Sequence, residues 1–356
     1  MSEKLLVSGN VAVAMGAIAA GCKYYFGYPI TPQSEIPEYM SRELPKNGGV
    51  FLQAESEIAS INMLLGASAC GQRAMTSSSS PGISLKQEGI SYMAGSELPG
   101  LIVNICRSGP GLGGIDASQA DYFQSVKTGG HGGYRVIVVA PDSVQEMYDL
   151  AMLAFDLSDT YRTPALLLAD SVIGQMKEAL EPKTRPEIEL PAKEWAVTGK
   201  QGRDDQRIVK SLYLGEGELE QHNWKLYNRY QELCGNEQRY EGQHLEDAEL
   251  IITAYGSSAR IAKSALRMAR EAGLKVGLLR PITLYPFPEK GFKEATAHCK
   301  QVLCVELSTG QMVEDVRLSV CEGTQVDFYG RPPGTGSLPT PEELFEQIRK
   351  RIGGDA

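Results

Sequence analysis

Residues 23–40, KYYFGYPITPQSEIPEYM, set an apolar run of strand length directly against two prolines, a threonine and an acidic helical segment. Pro29 and Pro32 each fix φ and push the residue before them out of the helical region, so the backbone around Thr31 is extended and stiff. Thr31 is the polar side chain that this loop presents, and it stands where a strand hands over to a helix. In open α/β sheets, ligands bind along that edge. Two readings are open at this point: a strand-to-helix turn shaped by proline, or a loop that holds a hydroxyl over a substrate.

Outward from this loop, apolar runs of strand length alternate with segments of helical period. YYFGYP (24–29), VFLQA (50–54), RAMTSS (73–78), GLIVNI (100–105), RVIVVA (135–140) and PALLLA (164–169) read as strands, with EIASINMLLGASACG and VQEMYDLAMLAFDLSD among the helices between them. Strand and helix in repetition predict an α/β domain with a parallel sheet covered on both faces. We place this domain at 1–185. Residues 186–246 break the alternation: EPKTRPEIELPAKEW is proline-spaced and polar, and ELEQHNWKLYNRYQELCGNEQRYE is charged with a helical period, which reads as a linker and a helical insertion. The alternation resumes from 247 to 356, with strands at 249–255 and 275–280, a helix opened by Gly256-Ser257-Ser258, the strand KQVLCVEL and a helix after Gly310. A chain of 356 residues accommodates about two such domains.

The net charge of −9 and the lack of a Lys/Arg cluster argue against a nucleic-acid partner. No apolar run approaches the roughly 18 residues of a membrane span, and MSEKLLVSGN lacks a secretory pattern, so the expected location is the cytoplasm. The seven cysteines are scattered without a C-x-x-C pair, so no zinc or iron-sulfur site is expected on this chain, and Cys22, Cys70 and Cys106 read as small core residues. Of the four histidines only His131, within TGGHGGY, sits in a suggestive loop.

Three places carry candidate chemistry. In RSGPGLGG, Gly109, Gly111 and Gly114 satisfy G-x-G-x-x-G, but the dinucleotide fingerprint also needs a helix starting inside the motif and an acidic residue at the end of the next strand. Pro110 stiffens the turn and no carboxylate ends RVIVVA, so a dinucleotide-binding dehydrogenase is the lesser alternative. Arg107 stands at the carboxyl end of LIVNIC, on the same sheet edge as Thr31, where an arginine clamps a carboxylate with two parallel hydrogen bonds or pairs with a neighbouring acid. Glu55 and Glu57 lie at a strand-to-helix junction, where capping competes with acceptance of a hydrogen bond from a heterocycle.

Together, YPITP, ESEIASINMLLGASACGQRAMTSSSSPG and ELPGLIVNICRSGPGLG resemble the α subunit of 2-oxoacid:ferredoxin oxidoreductases, most strongly from residue 8 to about 180. Within that family the chain is closest to members acting on 3-methyl-2-oxobutanoate (2-ketoisovalerate); relatives using 2-oxoglutarate or pyruvate share the motifs. The resemblance implies a pyrimidine-type thiamine diphosphate domain followed by a transketolase C-terminal-like domain. It implies that Thr31 touches the 2-oxoacid, that Arg107 contacts its carboxylate, that Tyr28 and Pro29 flank the cofactor, and that Glu57, the second acid of ESE, binds N1′ of the aminopyrimidine. A carboxylate there favours the imino tautomer, whose exocyclic nitrogen takes the proton from C2 of the thiazolium. The family holds the diphosphate through Mg²⁺ with a Gly-Asp-Gly segment, whereas the only Gly-Asp here is Gly354-Asp355. The implied complex therefore shares thiamine diphosphate with a β subunit carrying the diphosphate and Mg²⁺ half, has γ and ferredoxin-like δ subunits with the [4Fe-4S] clusters on partner chains, and converts a 2-oxoacid with coenzyme A to acyl-CoA and CO2 while reducing ferredoxin.

Overall fold

A computed structural model describes residues 4–183, 188–334 and 338–352. The expected limit between the first domain and the linker, at 185/186, lies outside the described residues. The chain opens with a short strand, β1 (Leu5–Ser8), whose last hydroxyl accepts from the Val11 amide and so caps α1 (Gly9–Ala19). There follow β2 (Tyr24–Gly27), α2 (Glu35–Glu43), β3 (Val50–Gln53), α3 (Glu57–Ala69), β4 (Ala74–Ser78), α4 (Ser80–Gly95) and β5 (Gly100–Cys106). After a long loop come β6 (Ile137–Val139), α5 (Val144–Tyr161), β7 (Pro164–Asp170), α6 (Ser171–Gln175) and β8 (Lys177–Leu180).

The second half contains α7 (Glu218–Asn236), β9 (Tyr240–Gln243), β10 (Leu250–Thr253), α8 (Gly256–Glu271), β11 (Val276–Pro281), β12 (Thr283–Tyr285), α9 (Glu289–His298), β13 (Gln301–Glu306), α10 (Met312–Ser319), β14 (Gln325–Gly330) and α11 (Pro341–Ile352). Seven strands form one sheet in the order β12-β6-β7-β5-β4-β2-β3, and five form another in the order β14-β13-β10-β11-β9. Both sheets are parallel except at one edge, where β12 runs antiparallel to β6 and β9 antiparallel to β11. The expected parallel, doubly covered α/β architecture is present. Three short pairings were not evident from the apolar runs: β1 with β8, β9 at its edge, and β12, which crosses from the second half into the first sheet.

Helices cover both faces of the large sheet. On one face α1, α2 and α5 pack together through Val13, Ala17, Ile36, Met40, Met147 and Phe155, all buried. α1 lies so close to α5 that a Cβ on Gly16 would fall 2.3 Å from the Tyr148 carbonyl oxygen, so only glycine permits this approach. On the other face α3 and α4 join residues of the second domain in a continuous core that includes Ile61, Leu64, Ile83, Ile90 and Leu284. Polar contacts also bind the halves. Asp170 caps α6 through the Val172 and Ile173 amides and accepts from Ser257 Oγ at 2.5 Å at the start of α8. Gln119 donates to the Tyr255 carbonyl at 2.7 Å and accepts from Ser258 Oγ at 2.8 Å.

α7 packs on the first domain: Leu233 is fully buried, His222 Nε2 meets the Gly95 carbonyl at 2.7 Å, and Glu97 pairs with Arg229 and, at 2.6 Å, with Lys225. Burial pushes the Glu97 carboxyl up, but the hydrogen bonds from Lys225 and Arg229 outweigh it and hold the pKa down at about 2. A depressed carboxylate contributes stability above its ordinary value of 4.5 and loses it as pH falls toward 2. Glu97→Gln should therefore cost about 1–2 kcal/mol at pH 7, since Lys225 is solvent-screened. Thermal unfolding of the two proteins should converge between pH 4.5 and 2.

Cys22 and Cys106 are buried as expected, but Cys70 is exposed, because it forms the C-cap of α3 where the helix turns away from the sheet. Among the described residues no helix is long and apolar enough to cross a membrane.

Candidate active site

The chain runs from β2 outward to β3 and then back past β2 to β4. α2 and α3 consequently lie on opposite faces, and the crevice between the carboxyl ends of β2 and β4 is the topological switch point of the sheet. Because these strands are parallel, the loop after Gly27, the junction before Glu57, the turn after Ser78 and Arg107 after Cys106 all open on this one edge.

The YPITP loop is held from below by its own carbonyls. Asn10 Nδ2 donates to Pro32 O at 2.8 Å and to Glu35 at 2.7 Å, Gln33 Nε2 reaches Tyr28 O at 3.4 Å, and Arg107 Nη1 donates to Thr31 O at 3.1 Å. Gln33 is fixed in turn by Ser77 Oγ at 2.5 Å, which also meets the buried Tyr25 hydroxyl at 2.7 Å. The bonds to the loop itself reach its carbonyls, at Tyr28, Thr31 and Pro32. The side chains of Tyr28, Pro29 and Thr31 are left exposed along the crevice.

Arg107 is buried and its Nη2 donates to Leu112 O at 3.2 Å. One guanidinium thus ties the threonine loop to the glycine loop, a role that sequence reasoning missed because both acceptors are main-chain atoms. Its Nε is buried without a partner, so part of the donor fork is still unmatched. The glycine loop has no helix inside it. Gly111 and Gly113 have φ of +69° and +61°, and a Cβ on Gly113 would fall 1.8 Å from the Ser108 carbonyl oxygen. The feature that places a pyrophosphate on a helix N-terminus is therefore missing from this segment.

Ser56 resolves the competition at the ESE junction. Its Oγ accepts from the Ala59 amide at 3.2 Å and caps α3, so neither flanking glutamate is needed for that task. Glu55 is exposed, whereas Glu57 is buried. Among the described residues no donor hydrogen-bonds to the Glu57 carboxylate. α4 approaches it closely: a Cβ on Gly82 would lie 2.7 Å from Glu57 Oε1 and 2.1 Å from Ser78 Oγ. The hydroxyls of Ser78 and Ser79 are also buried without partners. A buried carboxylate with no donor, orphaned hydroxyls and an unmatched guanidinium nitrogen on one edge fit the binding of a polar heterocycle and a carboxylate. Gly354 and Asp355 lie outside the described residues.

One neighbour of Glu57 gave no signal in the sequence, since a lysine in a helix ordinarily reads as solvated. Lys86 is fully buried, and its Nζ contacts Ser60 Oγ, Thr76 Oγ1 at 3.1 Å and the Glu57 carbonyl at 3.4 Å. Burial drives its pKa down from 10.5 to about 7, against the pull of the Glu57 charge. His131, by contrast, sits beside Ser91 and Tyr92 near the opposite end of α4 from Gly82.

The chain has relatives among known proteins. Residues 15–238 match the family described as pyruvate flavodoxin/ferredoxin oxidoreductase, thiamine diphosphate-binding, and residues 248–344 match pyruvate:ferredoxin oxidoreductase core domain II. The ketoisovalerate oxidoreductase subunit VorB of Methanothermobacter marburgensis is 53% identical over 349 residues, which is 98% of this chain and 98% of that one. The 2-oxoglutarate synthase subunit KorA of Methanocaldococcus jannaschii is 39% identical, over 96% of this chain and 98% of that one. Among solved structures, a 2-oxoglutarate:ferredoxin oxidoreductase from Magnetococcus marinus, with 2-oxoglutarate, coenzyme A and succinyl-CoA bound, superposes with a TM-score of 0.87 at 26% identity. It covers 99% of this chain, which spans 66% of that longer one. A split-gene transketolase shares the fold at a TM-score of 0.58, 12% identity and 97% coverage of both chains.

Proposed function

The chain belongs to the pyruvate flavodoxin/ferredoxin oxidoreductase family, and from that premise we propose that it is the α subunit of a thiamine diphosphate-dependent 2-oxoacid:ferredoxin oxidoreductase acting on 3-methyl-2-oxobutanoate or a similar branched-chain 2-oxoacid. The observation that carries this reading is the buried Glu57 carboxylate, without a donor of its own, at the switch point of the sheet. The near-full-length likeness to VorB supports the branched-chain substrate. A 2-oxoglutarate enzyme is the second reading, favoured by the KorA relatives and by the Magnetococcus structure.

In the balanced reaction, the 2-oxoacid and coenzyme A give acyl-CoA, CO2 and one proton, and two electrons pass singly to two ferredoxins. Thiamine diphosphate supplies, when bound, the nucleophilic carbon and the electron sink for decarboxylation. Glu57 would accept a hydrogen bond from the ring nitrogen N1′ and so assist proton movement on the ring. Tyr28 and Pro29, exposed beside the crevice, would line the ring's binding place. Thr31 presents its hydroxyl to the keto acid, while Arg107 holds its carboxylate with the donors left over from the two loops, a positioning role.

Among the described residues no group of three or more His, Cys, Asp or Glu could hold a metal ion; in this reading a β subunit supplies the diphosphate and Mg²⁺ half and completes the site. Tyr28, Ile58, Leu85, Leu112 and Ile115 are exposed apolar side chains on the loops and helix turns around the crevice, which suits a surface covered by another chain. Iron-sulfur clusters on partner chains, γ and ferredoxin-like δ subunits, ferredoxin as acceptor and a cytoplasmic location belong to the same proposal.

The test is purification of the complex and measurement of coenzyme A- and thiamine diphosphate-dependent viologen reduction across a panel of 2-oxoacids. Branched-chain acids should give the highest kcat/KM. Preference for 2-oxoglutarate selects the second reading, and no 2-oxoacid-dependent reduction rejects both. In the same assay Arg107→Lys should raise KM for the 2-oxoacid about 10- to 100-fold, because a point charge does not replace the planar fork.

A further inference from the structure

We propose that Asp121 is a positioning residue for Arg107, acting through the Ser80 hydroxyl to fix the point where the arginine leaves β5. The inference rests on the assignment of Arg107 to the 2-oxoacid carboxylate. Ser80, the first residue of α4, and Asn104, fully buried on β5, face each other, and the Ser80 amide donates to Asn104 Oδ1 at 3.1 Å. Asp121 reaches this pair from the loop beyond the glycine segment. Its Oδ2 accepts from Ser80 Oγ at 2.6 Å and from Asn104 Nδ2 at 2.8 Å, which closes a ring of hydrogen bonds through the three residues. The Arg107 amide docks on that ring, donating to Ser80 Oγ at 2.9 Å.

The carboxylate decides which way the serine points. A hydroxyl carries a single proton, and three acceptors lie in its reach: Asp121 Oδ2 at 2.6 Å, Arg107 O at 3.2 Å and Cys106 Sγ at 3.7 Å. The nearest and anionic one takes it, which leaves the serine oxygen free to receive the Arg107 amide. Without Asp121 the proton turns to the Arg107 carbonyl, Asn104 Nδ2 loses its acceptor, and the peptide from which the guanidinium extends is held less firmly. That guanidinium spans the Thr31 and Leu112 carbonyls at 3.1 and 3.2 Å, so a shift at its base moves the clamp. Asp121 itself stands on a fixed segment. Hydrogen bonds join this segment to the second half: Gln119 N to Leu307 O at 2.8 Å, Gln311 Nε2 to Ala120 O at 2.8 Å, Tyr122 Oη to Asp315 at 2.7 Å and Phe123 N to Gln311 Oε1 at 2.8 Å.

The experiment is steady-state viologen reduction by the assembled complex with 3-methyl-2-oxobutanoate and with 2-oxoglutarate, for Asp121→Ala, Asp121→Asn and Ser80→Ala, each alone and combined with Arg107→Lys. Asp121→Ala and Ser80→Ala should raise KM for the 2-oxoacid about tenfold, with a smaller change in kcat. Asp121→Asn keeps an acceptor oxygen for both donors and should recover most of the loss. In the Arg107→Lys background the further rise should shrink to about twofold or less, since a clamp already broken cannot be misplaced. Near-ultraviolet circular dichroism monitors folding, and should Asp121→Ala not fold, Ser80→Ala carries the same comparison. A tie that merely held the fold together would lower kcat through loss of active enzyme and leave KM as it was. That result, or a KM rise that adds in full to that of Arg107→Lys, overturns the inference. Failure of the underlying reading looks different: Arg107→Lys alone would then leave KM unchanged for every 2-oxoacid.

Discussion

Glu57→Gln lowers turnover of the assembled enzyme by about 10²–10⁴-fold, the usual contribution of a positioned acid or base, while the protein still folds and still joins its partners. The expectation of intact folding follows from local structure. Ser56 caps α3, glutamine fills the same volume, and the carboxylate supports no hydrogen bond among the described residues. What glutamine cannot do is accept the ring hydrogen bond as an anion and stabilise the proton-transferring tautomer. The check is hydrogen–deuterium exchange at C2 of bound thiamine diphosphate alongside turnover. Exchange and turnover should fall together, and exchange at the unaltered rate would remove Glu57 from the chemistry.

The second large effect is expected at a residue with no chemistry of its own. Gly82→Ala places a methyl group 2.1 Å from Ser78 Oγ and 2.7 Å from Glu57 Oε1. At such distances something must move, and the carboxylate stands at the open edge of the site while the serine is packed inside. A displacement of about 1 Å in a reacting group costs roughly 10²-fold, so the variant should lose about that much turnover and bind thiamine diphosphate more weakly. In a Ser78→Ala background, where one of the two clashes is gone, part of the loss should return. Kinetics and cofactor titration of the two variants give the answer; unchanged affinity in Gly82→Ala would show that the crevice has more room than its geometry indicates.

The layered α/β fold was legible because its central strands are fully buried on both faces and therefore appear as uninterrupted apolar runs, as in GLIVNI and PALLLA. Parallel strands share one carboxyl edge, and this is why Thr31 and Arg107 could be placed together from strand ends, whereas Glu57 was singled out from Glu55 only through the family resemblance. The rest failed for identifiable reasons. β12 has three residues and β1, β8 and β9 four each, too few for a period, and their partners are remote in sequence. The partners of Arg107 are carbonyls, which carry no residue type. Lys86 breaks the rule that lysines are solvated, a rule that holds until three oxygen acceptors are brought to one spot by tertiary packing. Cys70 was misread because an apolar neighbourhood in sequence does not say which side of a helix end faces water.

The strand β12 has a mechanical consequence. By hydrogen-bonding to β6 it makes the second half a tenant of the first sheet, and with Asp170 and Gln119 it rivets the two halves together. Opening and closing like a clamshell, which many bilobed enzymes use to admit a substrate, would have to break the pairing of Thr283 with Val139 and of Tyr285 with Val138.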